Sequence, residues 1–113
     1  MISNLSKMIF QFQTSDVTFF DDDRDYFEKR LFVLKKFLGA EAGDEDSVQM
    51  HIKIEKGRQQ TGDRFEGTAI MTCPYHGKFY ASVSADNIKK CADLLEDKLR
   101  RQIKKFHQKR INQ

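Results

Sequence analysis

Cys73-Pro74-Tyr75-His76 places a thiol and an imidazole three residues apart, the side chains a nucleophilic or metal site would draw on. Two ligands do not close a zinc site, which wants four. A Cys/His dyad also needs an orienting third group, and none is evident nearby. An inward-facing strand cysteine beside a turn histidine explains the pair more simply. Asp21-Asp22-Asp23 offers hard oxygen ligands, but the Gly and the later Glu of a calcium loop are absent. Carboxylates at a helix start, facing the positive end of the dipole, account for that run. Gly57 and Gly62 stand without the following Lys-Ser/Thr of a phosphate-cradling loop. No motif supports catalysis, and neither a cofactor nor a metal is expected.

What remains is charge. From Lys98 to Arg110 there are seven Lys or Arg and no acid. Residues 86–113 hold nine basic and four acidic residues, whereas residues 1–85 hold eleven and thirteen. Such a block is either the footprint of an anionic partner or a solvated tail, and periodicity decides between them.

The elements that would position these groups follow from changes of period. Residues 8–13 alternate, with Phe10 and Phe12 on one face and Gln11 and Gln13 on the other, which predicts a strand. Residues 21–38 shift to helical spacing through Phe27, Leu31, Leu34 and Leu38, and Gly39 is a stop signal. Residues 40–46 read as an acidic loop. Residues 48–84 predict a three-stranded meander: Val48, Met50, Ile52 and Ile54; then Phe65, Gly67, Ala69, Met71 and Cys73; then Phe79, Ala81 and Val83 form the inward faces. A polar connection over 57–63 and a turn at Pro74–Gly77 separate them. Residues 86–110 predict a long helix whose seam is Ile88, Ala92, Leu95, Leu99, Ile103 and Phe106, capped by Asp86 or Ser84.

The order is thus strand, helix, three strands, helix. Each strand has one apolar face, so two amphipathic helices suffice to cover one side of the sheet. The expected fold is α+β: a two-layer sandwich, β-α-β-β-β-α, with a four-stranded mixed sheet and two helices on one face, like a double-stranded-RNA-binding domain. The β-α-β start predicts parallel strands joined by a right-handed crossover, and the meander is antiparallel. The opposite sheet face is expected to be wet. One domain is expected over 1–113, with its core in 8–110.

On the last helix, at ~100° per residue, Lys90, Lys98, Arg101, Lys105 and Lys109 share one stripe beside the apolar seam. Lys89, Arg100 and Lys104 form a second stripe on its other flank. Helix-stabilising pairs such as Glu96–Arg100 and Asp97–Arg101 are worth only about 0.2–0.5 kcal/mol each and explain a few positions of this array. A structured cationic face points to an anionic partner. A membrane surface fits poorly because the apolar seam is already needed to cover the sheet. Nucleic acid fits better, read through shape and phosphates, since the open sheet face offers Tyr80 but no paired aromatics.

Composition is consistent with this. The chain has 113 residues, 39% hydrophobic and 33% charged, which suits one domain with a real core. Ten Phe and no Trp predict a core of Phe, Leu and Ile. No apolar run approaches the ~20 residues of a bilayer span. MISNLSKMIF is too short in apolar residues for a signal peptide. Cys73 and Cys91 are expected to be free thiols in a reducing cytoplasm.

Asp97-Lys98-Leu99-Arg100-Arg101-Gln102-Ile103-Lys104-Lys105 resembles the D-K-L-x-R-Q-[LI]-x-K signature of the short ribosome hibernation-promoting factor and ribosome-associated inhibitor A family, also called sigma-54 modulation proteins. Arg24-Asp25-Tyr26-Phe27, Arg30-Leu31 and Leu34-Lys35-Lys36-Phe37 are similar to that family's first helix. The resemblance covers residues 8–110. It departs at Asn87–Asp93, where the family's leading acid is displaced to Asp86 and its Tyr is replaced by Lys89. It departs again at Phe20, in place of the usual Thr cap.

The resemblance implies a non-enzymatic, cytoplasmic inhibitor of bacterial translation in stress and stationary phase. Such a protein binds the small ribosomal subunit and its rRNA in the mRNA/tRNA channel and blocks A- and P-site occupancy. By matched position, phosphate contacts fall to Arg24 and Arg30 on the first helix and to Lys98, Arg101 and Lys104 on the second. Lys36, Lys89, Lys90 and Lys105 are added from local charge. By the same resemblance the chain is expected to lack the C-terminal dimerisation domain of the family's long form, so a monomer is expected off the ribosome and pairing of ribosomes would need a separate dimerising factor. The alternatives are a general structured-RNA-binding domain and, further off, a small enzyme using Cys73 and His76.

Overall fold

Val48, Met50, Ile52 and Ile54 are fully or almost fully buried, while Gln49, His51 and Lys53 between them are exposed, so the alternation becomes a strand with one wet face. The same rule builds β1 (Met8–Ser15), β2 (Val48–Lys56), β3 (Phe65–Cys73) and β4 (Gly77–Ala85). The helices are α1 (Asp21–Phe32) and α2 (Ile88–Ile111). In this computed structural model the described residues are 8–38, 48–57, 64–73 and 77–111. The acidic segment 40–46, the connection 58–63 and the turn residues Pro74–His76 lie outside them. So do the side chains of Lys36 and Lys109.

The sheet order, which the sequence leaves open, is β1-β2-β3-β4. β1 runs parallel to β2 with Met8 opposite Val48, and β3 is antiparallel to both its neighbours, with Ala69 opposite Ile52 and Ala81. The fold is the expected α+β mixed sheet with two helices. The core gathers the inward strand residues with Phe27, Leu31 and Leu34 of the first helical segment and Cys91, Ala92, Leu95, Leu99 and Ile103 of α2. Phe27 is the hub of an aromatic group, edge-on to Phe12 at 6.0 Å and to Phe19 at 5.8 Å between ring centroids.

Two local features differ from expectation. The first helix is α-helical only to Phe32, and Val33–Leu38 continue as a 3-10 helix. Its tighter three-residue period brings Phe37 toward the core beside Leu34, and the side chain of Leu38, expected on that face, lies outside the described residues. The α2 cap is Asn87 rather than Asp86 or Ser84: Asn87 Oδ1 accepts from the Lys90 backbone N–H at 2.7 Å, satisfying a donor of the first turn.

α2 packs closely on the sheet at Gly67. A Cβ there would lie 3.3 Å from Cys91 Cβ and 3.5 Å from Leu95 Cδ1. Gly67→Val is therefore expected to push the helix off β3 and destabilise the protein by about 1–3 kcal/mol. The urea midpoint measures it, and an unchanged midpoint would contradict this packing.

β4 is an edge strand, and α2 covers its outer backbone. The Tyr80 N–H donates to Gln102 Oε1 at 3.3 Å, Gln102 Nε2 donates to the Tyr80 carbonyl, and Lys98 Nζ donates to the Ser82 carbonyl at 2.7 Å. Side chains thus occupy groups that would otherwise template a foreign strand.

Candidate nucleic-acid interface

α1 and α2 lie side by side in the same sense, clamped by ion pairs. At their starts, Lys89 Nζ meets Asp22 Oδ2 at 2.8 Å and Asp23 Oδ1 at 3.4 Å. This pair holds the Asp22 carboxyl below the usual carboxylate range and raises the Lys89 ammonium. Asp23 also accepts the Phe20 N–H at 3.1 Å, which fastens the helix start even though Phe20 has no side-chain acceptor to offer. Further along, Arg30 meets Asp93 at 3.1 Å and Glu96 at 3.5 Å. Tyr26 Oη donates to Asp93 at 2.6 Å, and that bond, with burial, raises the phenol above its ordinary value. Glu96 is 3% exposed and is also held by Arg100 at 3.3 Å.

These contacts divide the cations into two sets. On the α1 side of α2, Lys89 and Arg100 are bound to carboxylates, as is Arg30 across the groove, while Lys104 lies over the Phe37 ring at 5.3 Å. Away from α1, Lys90, Lys98, Arg101 and Lys105 are exposed, and helical spacing sets them within about 80° of one another in a stripe whose Lys98 reaches β4. Among the described residues, the only carboxylate paired with that stripe is Asp97, which meets Arg101 at 2.9 Å, and Arg101 remains 77% exposed. Lys98 is bonded to a neutral carbonyl, which fixes its ammonium along the β4 edge without cancelling its charge. Arg24 stands apart from both sets, its guanidinium 5.2 Å from the centroid of the Phe12 ring of β1.

The arrangement can grip phosphates. A rigid helix anchored by its apolar seam holds cations at fixed spacing, so less conformational freedom is lost when they meet a polyanion.

The sequence profile of the family described as sigma 54 modulation protein / S30EA ribosomal protein matches residues 10–111. The chain belongs to this family. The S30EA family is one of ribosome-associated modulation factors rather than enzymes. Among solved structures, the Thermus thermophilus Protein Y N-terminal domain is similar in fold, with a TM-score of 0.59 at 20% identity over 88% of this chain and 99% of that one. No curated protein sequence matches.

In this S30EA family member Cys73 and Cys91 are both buried, and no disulfide joins them. Cys91 donates to the Phe65 carbonyl at 3.7 Å, and burial pushes its pKa up to about 11. Cys73 is 2% exposed, and His76 lies outside the described residues. Among the described residues no cluster of acids, His and Cys could hold a metal ion, and no helix is long and apolar enough to cross a membrane. Sequence reasoning read Glu96 only as a partner of Arg100 within α2 and Gln102 only as part of the signature; in the structure Gln102 covers the β4 edge and Glu96 joins the helices. Gln102 lies four residues after Lys98, a spacing that places both on the β4 side of α2.

Proposed function

We propose that the protein silences translation by occupying the mRNA/tRNA channel of the small ribosomal subunit, blocking the A and P sites and stabilising inactive ribosomes. Family membership gives the ribosomal association, and with it a cytoplasmic setting. The observation that carries the finer reading is the fixed, acid-poor stripe of Lys90, Lys98, Arg101 and Lys105 on α2. In this reading the stripe, with Lys104 and Arg24, meets rRNA phosphates. Lys36, in the 3-10 continuation of the first helix, is included with them on its charge alone. Arg30 and Lys89 serve chiefly as struts between the helices, because an RNA phosphate would have to displace carboxylates they already hold.

Affinity is then mainly electrostatic. With about five phosphates neutralised, log K should fall with log salt at a slope near −4, so raising salt from about 50 to 200 mM weakens binding about two hundredfold. Sucrose-gradient sedimentation with separated small and large subunits across a salt series tests both points. Co-migration with the small subunit and this slope are expected. Preference for the large subunit, or for naked RNA duplex over assembled subunits, would reject the reading in favour of a general structured-RNA binder.

A further inference from the structure

We propose that the open face of the sheet is a second nucleic-acid subsite, which holds a single-stranded RNA segment by stacking a base on Tyr80. Tyr80 is 57% exposed, and the other two exposed aromatic residues among those described, Phe20 and Phe32, belong to the two ends of α1 rather than to the sheet. Its backbone is pinned in both directions by the Gln102 amide, so the platform is held before any ligand arrives.

The surroundings fit a base rather than a peptide or a lipid. Tyr80 shares a cross-strand row with Ile70, His51 and Gln11. Adjacent strands lie about 4.8 Å apart, so Ile70 is one strand spacing from Tyr80 and His51 two. Beside this row is a hollow of about 190 Å³, lined by Ile9, Gln11, Gln49, His51, Ile70 and Lys78 among others. It has an aliphatic floor for a ring face, amide and imidazole groups for base edges, and an ammonium at the rim for a phosphate. Charge complementarity points the same way. In three of the four rows the open face carries no carboxylate. Glu55 and Glu66 sit opposite one another in the last row, at the end away from Lys78. Stacking platforms flanked by cations bind single strands with little sequence preference. The subsite is separate from the α2 stripe, so it stands or falls independently of the small-subunit reading.

A labelled oligouridylate, followed by fluorescence anisotropy at low salt, tests it. The wild-type protein should bind. Tyr80→Ala should weaken binding about five- to a hundredfold, the range of one stacked base, while Tyr80→Phe keeps it. Lys78→Gln should weaken binding modestly and reduce the salt slope by about one. Ribosome co-sedimentation of the same variants is read in parallel to separate the two sites. No binding by the wild-type protein would overturn the proposal. Equal binding by Tyr80→Ala would overturn it too, as would binding abolished only by Lys105→Glu, which assigns the oligonucleotide to the helix. A Tyr80→Ala variant that loses ribosomes, from a protein that never binds the oligonucleotide, would give the face to a protein partner instead.

Discussion

Reversing the charge of Lys98 and Arg101 together, Lys98→Glu with Arg101→Glu, is expected to abolish co-sedimentation with ribosomes while leaving the far-UV circular dichroism unchanged. Each side chain offers a charge-assisted hydrogen bond to a phosphate, worth about 1.5–3 kcal/mol, so losing two costs more than about a hundredfold before repulsion is added. The salt slope of any residual binding should flatten by about two. The fold has little to lose. Arg101 is 77% exposed and its pair with Asp97 is a surface contact of about 1 kcal/mol or less. Lys98 contributes one bond to the Ser82 carbonyl at the rim of the sheet, where water can replace it. Full binding by the double variant would remove the α2 stripe from the interface.

Removing two cations from the same pair of helices at other positions should have the opposite phenotype. Arg30→Ala with Arg100→Ala leaves the carboxylate of Glu96, 3% exposed, without either guanidinium. Orphaning a buried charge costs about 3–5 kcal/mol. Because both arginines are themselves more than a third exposed and partly screened, about 2–4 kcal/mol is expected here. Each single variant should cost distinctly less than half of this, since the remaining arginine still pairs with Glu96. Urea unfolding of the two singles and the double measures the coupling, and Glu96→Gln on the double background should restore much of the loss. Ribosome binding well below the melting temperature should stay within severalfold of wild type. Strict additivity with a small total would mean that Glu96 does not depend on the arginines. Loss of binding with unchanged stability would return Arg30 to the interface or add Arg100 to it.

The contrast between these two experiments follows from where each cation points, and that was only partly legible beforehand. Local periodicity is a short-range property, so it located all four strands and both helices, the inward face of each strand and the seam of α2. It also separated the cations of α2 into two stripes, because the stripes depend only on 100° per residue. The signature around Asp97–Lys105 added the family. The break from α to 3-10 at Val33 and the choice of Asn87 over Asp86 as a cap were not legible. Both turn on packing and backbone geometry that several neighbouring residues could have supplied equally well.

The sequence by itself determined that this chain folds as one amphipathic sheet covered by two helices, and that its last helix carries a docked cationic surface suited to a polyanion. The tertiary structure alone decided which cations are available. Lys89 is tied to Asp22, 67 residues away in the chain, and Arg30 to Asp93 and Glu96, whereas Lys90 and Lys105 meet no such partner among the described residues. It also placed Gln102 against the edge of β4, behind Tyr80. The physical reason is range: side-chain periodicity fixes which way a residue faces on its own element, but an ion pair forms or fails according to which element the fold sets opposite it.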